Sequence, residues 1–282
     1  MPSLPSSSAQ AAREAVAARL RELMLDAGLT GQELADRCGW NPAKTSRIIN
    51  ARTPPSDADV RAWCTACGAD DQAPDLIETS RAVESMYVEW RRLQRNGLRK
   101  VQQDFYALHE QTALCRVYVS NVVPGFFQTA AYATALLGAV TRFVGTPDDT
   151  AEAVAARLAR SRFLYEGGHR FVVVMEEWVL RAAVADRTAM AGQLRHLHAV
   201  LPLASVSLGI IPTGTARRLW PMEAFYLYDE RRVVVETLTA EINVTQPREI
   251  ADYARAFAEL AASAVWGTEA KALINEAINA VE

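Results

Sequence analysis

Lysine is almost missing from this chain. The 282 residues carry it only at positions 44, 100 and 271, so nearly every positive charge is an arginine. The formal net charge is −3, which excludes the global basic field that draws a protein to polyanions. Any nucleic-acid contact must therefore come from a local patch. The four cysteines, Cys38, Cys64, Cys67 and Cys115, are too few to scaffold a chain this long with disulfides. No apolar run is long enough to span a bilayer. The opening "MPSLPSSSAQ" has neither the charged nor the apolar segment of a secretory signal. Together these absences predict a cytoplasmic protein. The nucleophile elbow G-x-S-x-G, the zinc motif H-E-x-x-H, the phosphate-binding P-loop and the dinucleotide fingerprint are also missing. The chain is therefore read as no enzyme, with no cofactor and no metal.

What is present is apolar residue in quantity, 50% of the chain, enough for well-formed cores. The length favours two domains. Residues 1–10 read as a disordered tail. Helical spacing then puts Val16, Leu20, Leu23, Met24 and Ala27 on one face of a helix over 9–28, with Gly28 as its stop. Thr30 and Glu33 form a capping box for a short second helix, whose inward face is Leu34, Ala35 and Cys38. Gly39 breaks it. Asn41 caps a third helix with Pro42 at its first position, and Thr45, Ile48 and Ile49 face inward. Ser56 caps a fourth, with Val60, Trp63, Cys64 and Cys67 inward and Gly68 as its end.

"GQELADRCGWNPAKTSRIINARTPP" thus has the spacing of a helix-turn-helix. If the apolar faces are used up inside a compact all-α domain over 11–72, the third helix projects Asn41, Ala43, Lys44, Ser46, Arg47 and Asn50 outward. These residues suit a major groove, being small, hydrogen-bonding or cationic. Gln32 and Arg52 are candidates for phosphates. An ordinary polar face on a helical bundle is the alternative. The residues Gly28-Leu29-Thr30, Glu33-Leu34-Ala35, Gly39, Ser46-Arg47-Ile48, Thr53-Pro54 and Gly68 resemble the lambda-repressor-like (xenobiotic-response-element, XRE) helix-turn-helix family. Gly31 departs from it, standing where the family usually has a Gln that touches the DNA backbone. Thr45 and Ile49 depart where an aliphatic and an acidic residue are common.

Residues 73–114 read as a helical connector, bent or broken at Gly97, that carries the basic run "RRLQRNGLRK". From 115 to 282 the pattern is a mixed α/β domain, so the chain as a whole is α+β. Strand-like runs lie at 116–123, in "RFVVVMEEWVLR", where a buried strand runs into a short helix or turn, and at "SVSLGIIP", "AFYLYD" and "RVVVETLT". Helices are expected over 126–137, 148–166, 187–200, 247–265 and 268–280. "VPGFFQT", "ARLARSRFL", "EEWVLR", "QLRHL", "VSLGIIP" and "VVVETLTAEI", in this order, resemble the C-terminal domain of actinobacterial WhiJ-like, antitoxin-like transcriptional regulators. That resemblance implies a partner, a very small protein encoded by a neighbouring gene, and no enzymatic activity.

Other candidates have a plainer reading beside the functional one. Cys64 and Cys67 form C-x-x-C, yet both lie on an inward face with no second ligand pair. His196 and His198 cannot share a helix face, and His109 and His169 are isolated. Glu176 and Glu177 point to opposite sides of a strand, one a buried partner and the other solvated. Arg157 and Arg160 share a helix face, and either pair with Glu176, Glu177 or Glu236 or hold an anionic ligand. Arg217, Arg218 and Trp220 combine exposed Arg with an aromatic, as protein-contact hot spots do, unless the Trp tucks into its own domain. Phe126, Phe127 and Tyr132 line an apolar pocket or simply fill the core. The expected function is a sequence-specific DNA-binding transcriptional regulator, a homodimer on a double-stranded operator, whose C-terminal domain binds the small partner protein or a ligand. The alternative is an antitoxin-like protein that mainly sequesters its partner and autoregulates its operon.

Overall fold

The computed structural model describes residues 7–220 and 223–282, and their side chains except those of 7–12, 78, 81–89, 91 and 92. Residues 1–6 of the expected tail lie outside the described residues, but α1 (Ser7–Asp26) begins within its last part. The chain forms two compact units, Met1–Tyr87 and Val88–Glu282.

The regular elements of the first unit among the described residues, up to Met86, are helices. After α1 come α2 (Gly31–Cys38), α3 (Pro42–Ile49), α4 (Asp57–Cys67) and α5 (Ala73–Met86). The capping box forms as the residue types dictate: Glu33 N donates to Thr30 Oγ1, and Thr30 N donates to Glu33 Oε2. Gly39 closes α2 at φ 66°, left-handed backbone that strains any side-chain-bearing residue. Asn41 Oδ1 then accepts from Ala43 N at 2.8 Å and starts α3. Leu34, Ala35, Thr45, Ile48, Val60, Trp63 and Cys64 are buried, as their spacing predicts, while Cys38, Ile49 and Cys67 are half-buried. Trp63 is fully buried and its indole N–H donates to the Leu20 carbonyl at 2.9 Å, fixing α4 to α1. Helix α5 packs on α1 and α4, so the expected connector is divided, its first helix belonging to this unit.

Short β1 (Tyr87–Glu89) stands at the boundary of the units, and α6 (Trp90–Leu93) and α7 (Arg99–Glu110) follow in the second, so that the connector is broken rather than bent at Gly97 and is interrupted by a strand that was not expected. Gly97, at φ 100°, marks the break, and Asp149 explains the restart: its carboxylate accepts from the Leu98 and Arg99 N–H groups at 2.7 and 2.8 Å. Of the basic run, the side chains of Arg91 and Arg92 lie outside the described residues, while Arg95, Arg99 and Lys100 are exposed.

The remaining strands are β2 (Leu114–Val119), β3 (Arg170–Glu176), β4 (Val206–Ile211), β5 (Phe225–Tyr228), β6 (Arg232–Glu236) and β7 (Ala240–Val244). They form one mixed sheet in the order β1-β7-β6-β5-β2-β3-β4. The pairs β2–β3 and β3–β4 are parallel, while β2–β5, β5–β6 and β6–β7 are antiparallel. Parallel neighbours need crossovers. These are supplied by α8 (Ala130–Val144) with α9 (Thr150–Ala159), and by α10 (Arg187–Val200). Alternation splits the sheet residues between two cores. Val117, Val119, Val173 and Met175 face α10 and α12 (Gly267–Val281), and Tyr118, Val174, Phe225 and Leu227 face α11 (Pro247–Ala262).

Three expectations give way here. The helix expected from Phe126 starts only at Ala130, because Thr129 caps it, and Gly125–Phe127 is a tight 3-10 turn that drives both rings inward. The helix expected to run to 166 loosens into a 3-10 turn over Arg160–Leu164. Strand β7 was not expected, since "AEINV" alternates polar and apolar residues too briefly to stand out. Trp63→Phe removes the indole hydrogen bond and part of the ring, and should cost about 1–3 kcal/mol, read as a lowered midpoint in chemical denaturation.

Candidate functional site

Helices α2 and α3 are eight residues each, too short to persist alone. They hold because their inner faces are consumed by α1 and α4. The outer face of α3 is what remains. Asn41, Ala43, Ser46, Arg47 and Asn50 are exposed on it, with Gln32 on α2 and Arg52 beyond α3 also exposed. The last turn of α3 is tied down rather than frayed: Arg21 Nη2 donates to the Ile49 carbonyl at 2.6 Å, and Arg52 N donates to the Arg47 carbonyl at 2.8 Å.

The outward residues are not equally free. The Arg47 and Arg52 side chains make no hydrogen bond or ion pair with any described residue. Asn50 Nδ2 donates back to the Ser46 carbonyl at 2.8 Å, which leaves its own oxygen for other use. Asn41 Oδ1 is spent on the cap, and Gln32 Nε2 donates to Asp36 Oδ1 at 3.1 Å. Lys44 departs most from its expected role. It is half-buried, its Nζ lies 2.5 Å from Asp59 Oδ1, and it sits 4.3 Å above the Trp40 ring. Asp59 is itself the third residue of the α4 capping box with Ser56. Partial burial opposes its ionisation, but the hydrogen bonds from Lys44 and Ser56 prevail and hold the carboxyl below its ordinary range. Lys44 thus braces α3 against α4 from the side, and Arg47 is the cation left to face outward. At Gly31 an added Cβ would meet only Thr45 and Ile49 at ordinary distances, 3.8 and 3.9 Å, so a side chain would fit there.

In the second unit, Arg217 is no free hot spot. Its guanidinium grips Glu176 at 2.8 and 2.5 Å, and Tyr118 Oη donates to the same carboxylate at 2.8 Å. Arg218 is exposed, and Trp220 is not tucked in but 77% exposed, with the Arg217 guanidinium 5.8 Å from its ring. Trp178 is also exposed, and with Trp220 it borders a depression of about 550 Å³ floored by Tyr118, Glu176 and Arg217. Glu177 is not solvated as expected. It is half-buried, accepts from Thr213 N at 2.8 Å and pairs with Arg181.

Arg157 and Arg160 do not pair with Glu176, Glu177 or Glu236. They bond Gln102 and Gln128, two glutamines that the sequence reading passed over. A signal for Gln102 existed, since it lies on the inward stripe of α7 with Val101, Phe105 and His109, where a polar residue needs a reason. The cysteines are free thiols, and burial pushes Cys67 up to about 11, which leaves it inert near neutrality. Among the described residues no cluster of His, Cys, Asp or Glu is placed to hold a metal ion. Among them, too, no helix is long and apolar enough to cross a membrane.

Comparison with known families gives two matches. Residues 15–76 match a helix-turn-helix domain, and residues 102–276 match a domain of unknown function (DUF5753). The pairing is that of a helix-turn-helix regulator with a WhiJ-like C-terminal domain, as the sequence resemblance implies. A search of curated proteins finds no match.

Asp59→Asn tests the Lys44 brace. It should lower stability by about 1 kcal/mol while freeing Lys44, so that the salt dependence of duplex binding steepens by about one phosphate contact. Thermal melts and anisotropy titrations at several salt concentrations would measure both.

Proposed function

The chain belongs to the DUF5753 family, with a helix-turn-helix domain ahead of that region, and from that premise we propose a sequence-specific transcriptional regulator that reads its operator with α3. The observation that carries the reading is the division of α3 into two faces. Thr45 and Ile48 are sealed inside, and Ala43, Ser46, Arg47 and Asn50 stand outside on a short rod held at both ends. Small side chains at Ala43 and Ser46 let the backbone approach a groove floor, and Arg47 has the fork that pairs with guanine O6 and N7. Asn50 offers hydrogen bonds to a base edge, while Arg52 and Gln32 take phosphates. Asn41, by capping, orients the helix. Lys44 contributes at the rim, as far as Asp59 releases it.

Residues 13–71 hold eight Lys or Arg and nine Asp or Glu, so the domain has no charge surplus with which to cling to DNA at large. Weak non-specific binding and a homodimer on a pseudo-palindrome follow, since one eight-residue helix reads few base pairs. The reading is non-enzymatic and places the protein in the cytoplasm. The second unit takes the small protein encoded by a neighbouring gene. Arg218 and Trp220 are the contact residues, and Arg217 positions them through Glu176. The exposure of Trp178 and Trp220 side by side favours this, because large aromatics left in water are unusual away from interaction surfaces. The antitoxin-like alternative uses the same surface but reduces DNA binding to autoregulation.

Operator selection with the full chain, followed by Arg47→Ala, tests the first part. The substitution should cost about 1–3 kcal/mol on the selected site and relax preference at one base pair; an unchanged footprint would reject α3 as the reader. For the second part, Trp220→Ala should abolish co-elution of the chain with the adjacent gene's product, and unaltered co-elution would remove this loop from the interface.

A further inference from the structure

The second unit contains a cavity of about 440 Å³, within the range of small-molecule sites. Its lining is of two kinds. Leu98, Leu136, Leu137 and Val140 are apolar. Phe143 and Leu238 also line it and are 72% and 75% exposed, so they stand at its mouth. Arg157, Arg160, Gln102, His109 and Tyr228 are polar.

The polar lining is over-provided for a purely structural role. Arg157 Nε and Arg160 Nη2 both donate to Gln102 Oε1 at 2.9 Å, and Arg157 Nη1 donates to Gln128 Oε1 at 2.9 Å. Those acceptors are neutral. No described carboxylate lies within ion-pair distance of either guanidinium, and Arg157 Nη2 and Arg160 Nη1 have no hydrogen-bond partner among the described residues. Glu236 also lines the cavity and acts on both arginines only at longer range. Its side chain is reached by solvent, yet it lies deep among protein atoms, and burial raises its carboxyl above the usual range. Burial, and then repulsion from Arg160, lowers Arg157 to about 10, so it remains a cation near neutrality. Arg160 is buried and Arg157 half-buried, and two neighbouring cations with so little counter-charge are costly there unless something else supplies it.

Three more groups want a partner. His109 Nε2, Tyr228 Oη and Gln94 Oε1 belong to residues that line the cavity, and among the described residues these buried atoms have no hydrogen-bond partner. His109 is more than nine-tenths buried, and its Nδ1 lies 2.7 Å from the Phe105 carbonyl. It donates there and so presents Nε2 as an acceptor. Burial, followed by the nearby Arg160 charge, depresses this imidazole to about 3, so it is neutral. Unpaired buried polar atoms are rare enough in folded proteins that each calls for a reason.

From this geometry we infer that the cavity is a binding site for a small amphiphilic anion, its headgroup forked between Arg157 and Arg160 and its apolar body lying toward Leu136 and Val140. Arginine forks suit carboxylate, sulfonate and phosphate oxygens alike. Gly125 is part of the construction: a Cβ there would stand 2.6 Å from Arg160 Nη2. The inference deepens the regulator reading, for which such an anion would be the signal, and its test does not depend on DNA binding.

Fluorescence titration of the full chain would use 1-anilinonaphthalene-8-sulfonate and N-phenyl-1-naphthylamine, which share the ring system and differ by the sulfonate. One saturable site is expected for each. Arg157→Met and Arg160→Met should each cut the preference for the sulfonate by about tenfold, the scale of one charge-assisted contact. Leu136→Trp should weaken both probes by filling space along the apolar lining. In the unmutated chain, octanoate should displace the sulfonate at concentrations where octan-1-ol does not, a readout that stands even if a variant fails to fold. An unchanged preference in folded arginine variants, or equal displacement by acid and alcohol, would overturn the site. Operator selection yielding no sequence would sink the regulator reading and leave these titrations as they are.

Discussion

What the rest of the first unit depends on is the burial of two helical faces that cannot exist unburied. Eight residues make about two turns, which in water alone would not hold. Helix α3 is therefore a surface only because it is also a core element: Thr45 and Ile48 face inward on the same two turns that carry Ser46 and Arg47 outward. The Trp63 hydrogen bond to Leu20, the capping box at Thr30 and the Arg21 bond to the Ile49 carbonyl each pin one edge of that arrangement. Rigidity of this kind matters for reading bases, where the geometric tolerance of a bidentate contact is small.

Electrostatics sorts the outward residues further. Of the two cations on α3, one is held by an internal acid and an aromatic ring, and the other by no described residue of its own unit. A lysine engaged in this way is a weak advertisement to phosphate, which on the proposed reading leaves Arg47 as the specific element. With acids and bases nearly balanced in the domain, attraction must be local and short-ranged, so sequence contacts carry a larger share of affinity than they would in a strongly basic domain.

Much of this was legible in the sequence because it is local. Caps, glycine stops and helical periodicity place α2, α3 and α4 almost to the residue, and the range 187–200 expected for α10 is the one observed. The pairing of Lys44 is not legible because its partner sits fifteen positions away on another helix, and nothing in periodicity reports a cross-helix ion pair. The break at Gly97 was visible, but its cap was not, since Asp149 comes from half a domain further on. Phe126 and Phe127 look helical by composition. Their turn is set by Pro124 before them and by the Thr129 cap after them, which periodicity alone does not weigh. Gln102 stands out only as a polar residue on an inward stripe, and Gln128 not at all, because the role of both exists only when three separate segments meet.

That meeting connects two motifs that look unrelated in the linear chain. "VPGFFQT" supplies Gly125, the only residue type that lets Arg160 lie so close to the backbone, and Gln128, which accepts from Arg157. "ARLARSRFL" supplies the arginines, three positions apart, so that one turn of α9 and the start of the next turn present both guanidiniums to one place. Helix α7 closes the set with Gln102 and His109, and β5 adds Tyr228 from the sheet. A structural role for Arg157 and Arg160 accounts for the bonds they make to the two glutamines. It does not account for the N–H groups left over, nor for the three buried unpaired atoms of Gln94, His109 and Tyr228 beside the same cavity. On the inferred reading, the cost of leaving such buried atoms unpaired is what gives this corner of the fold a preferred occupant.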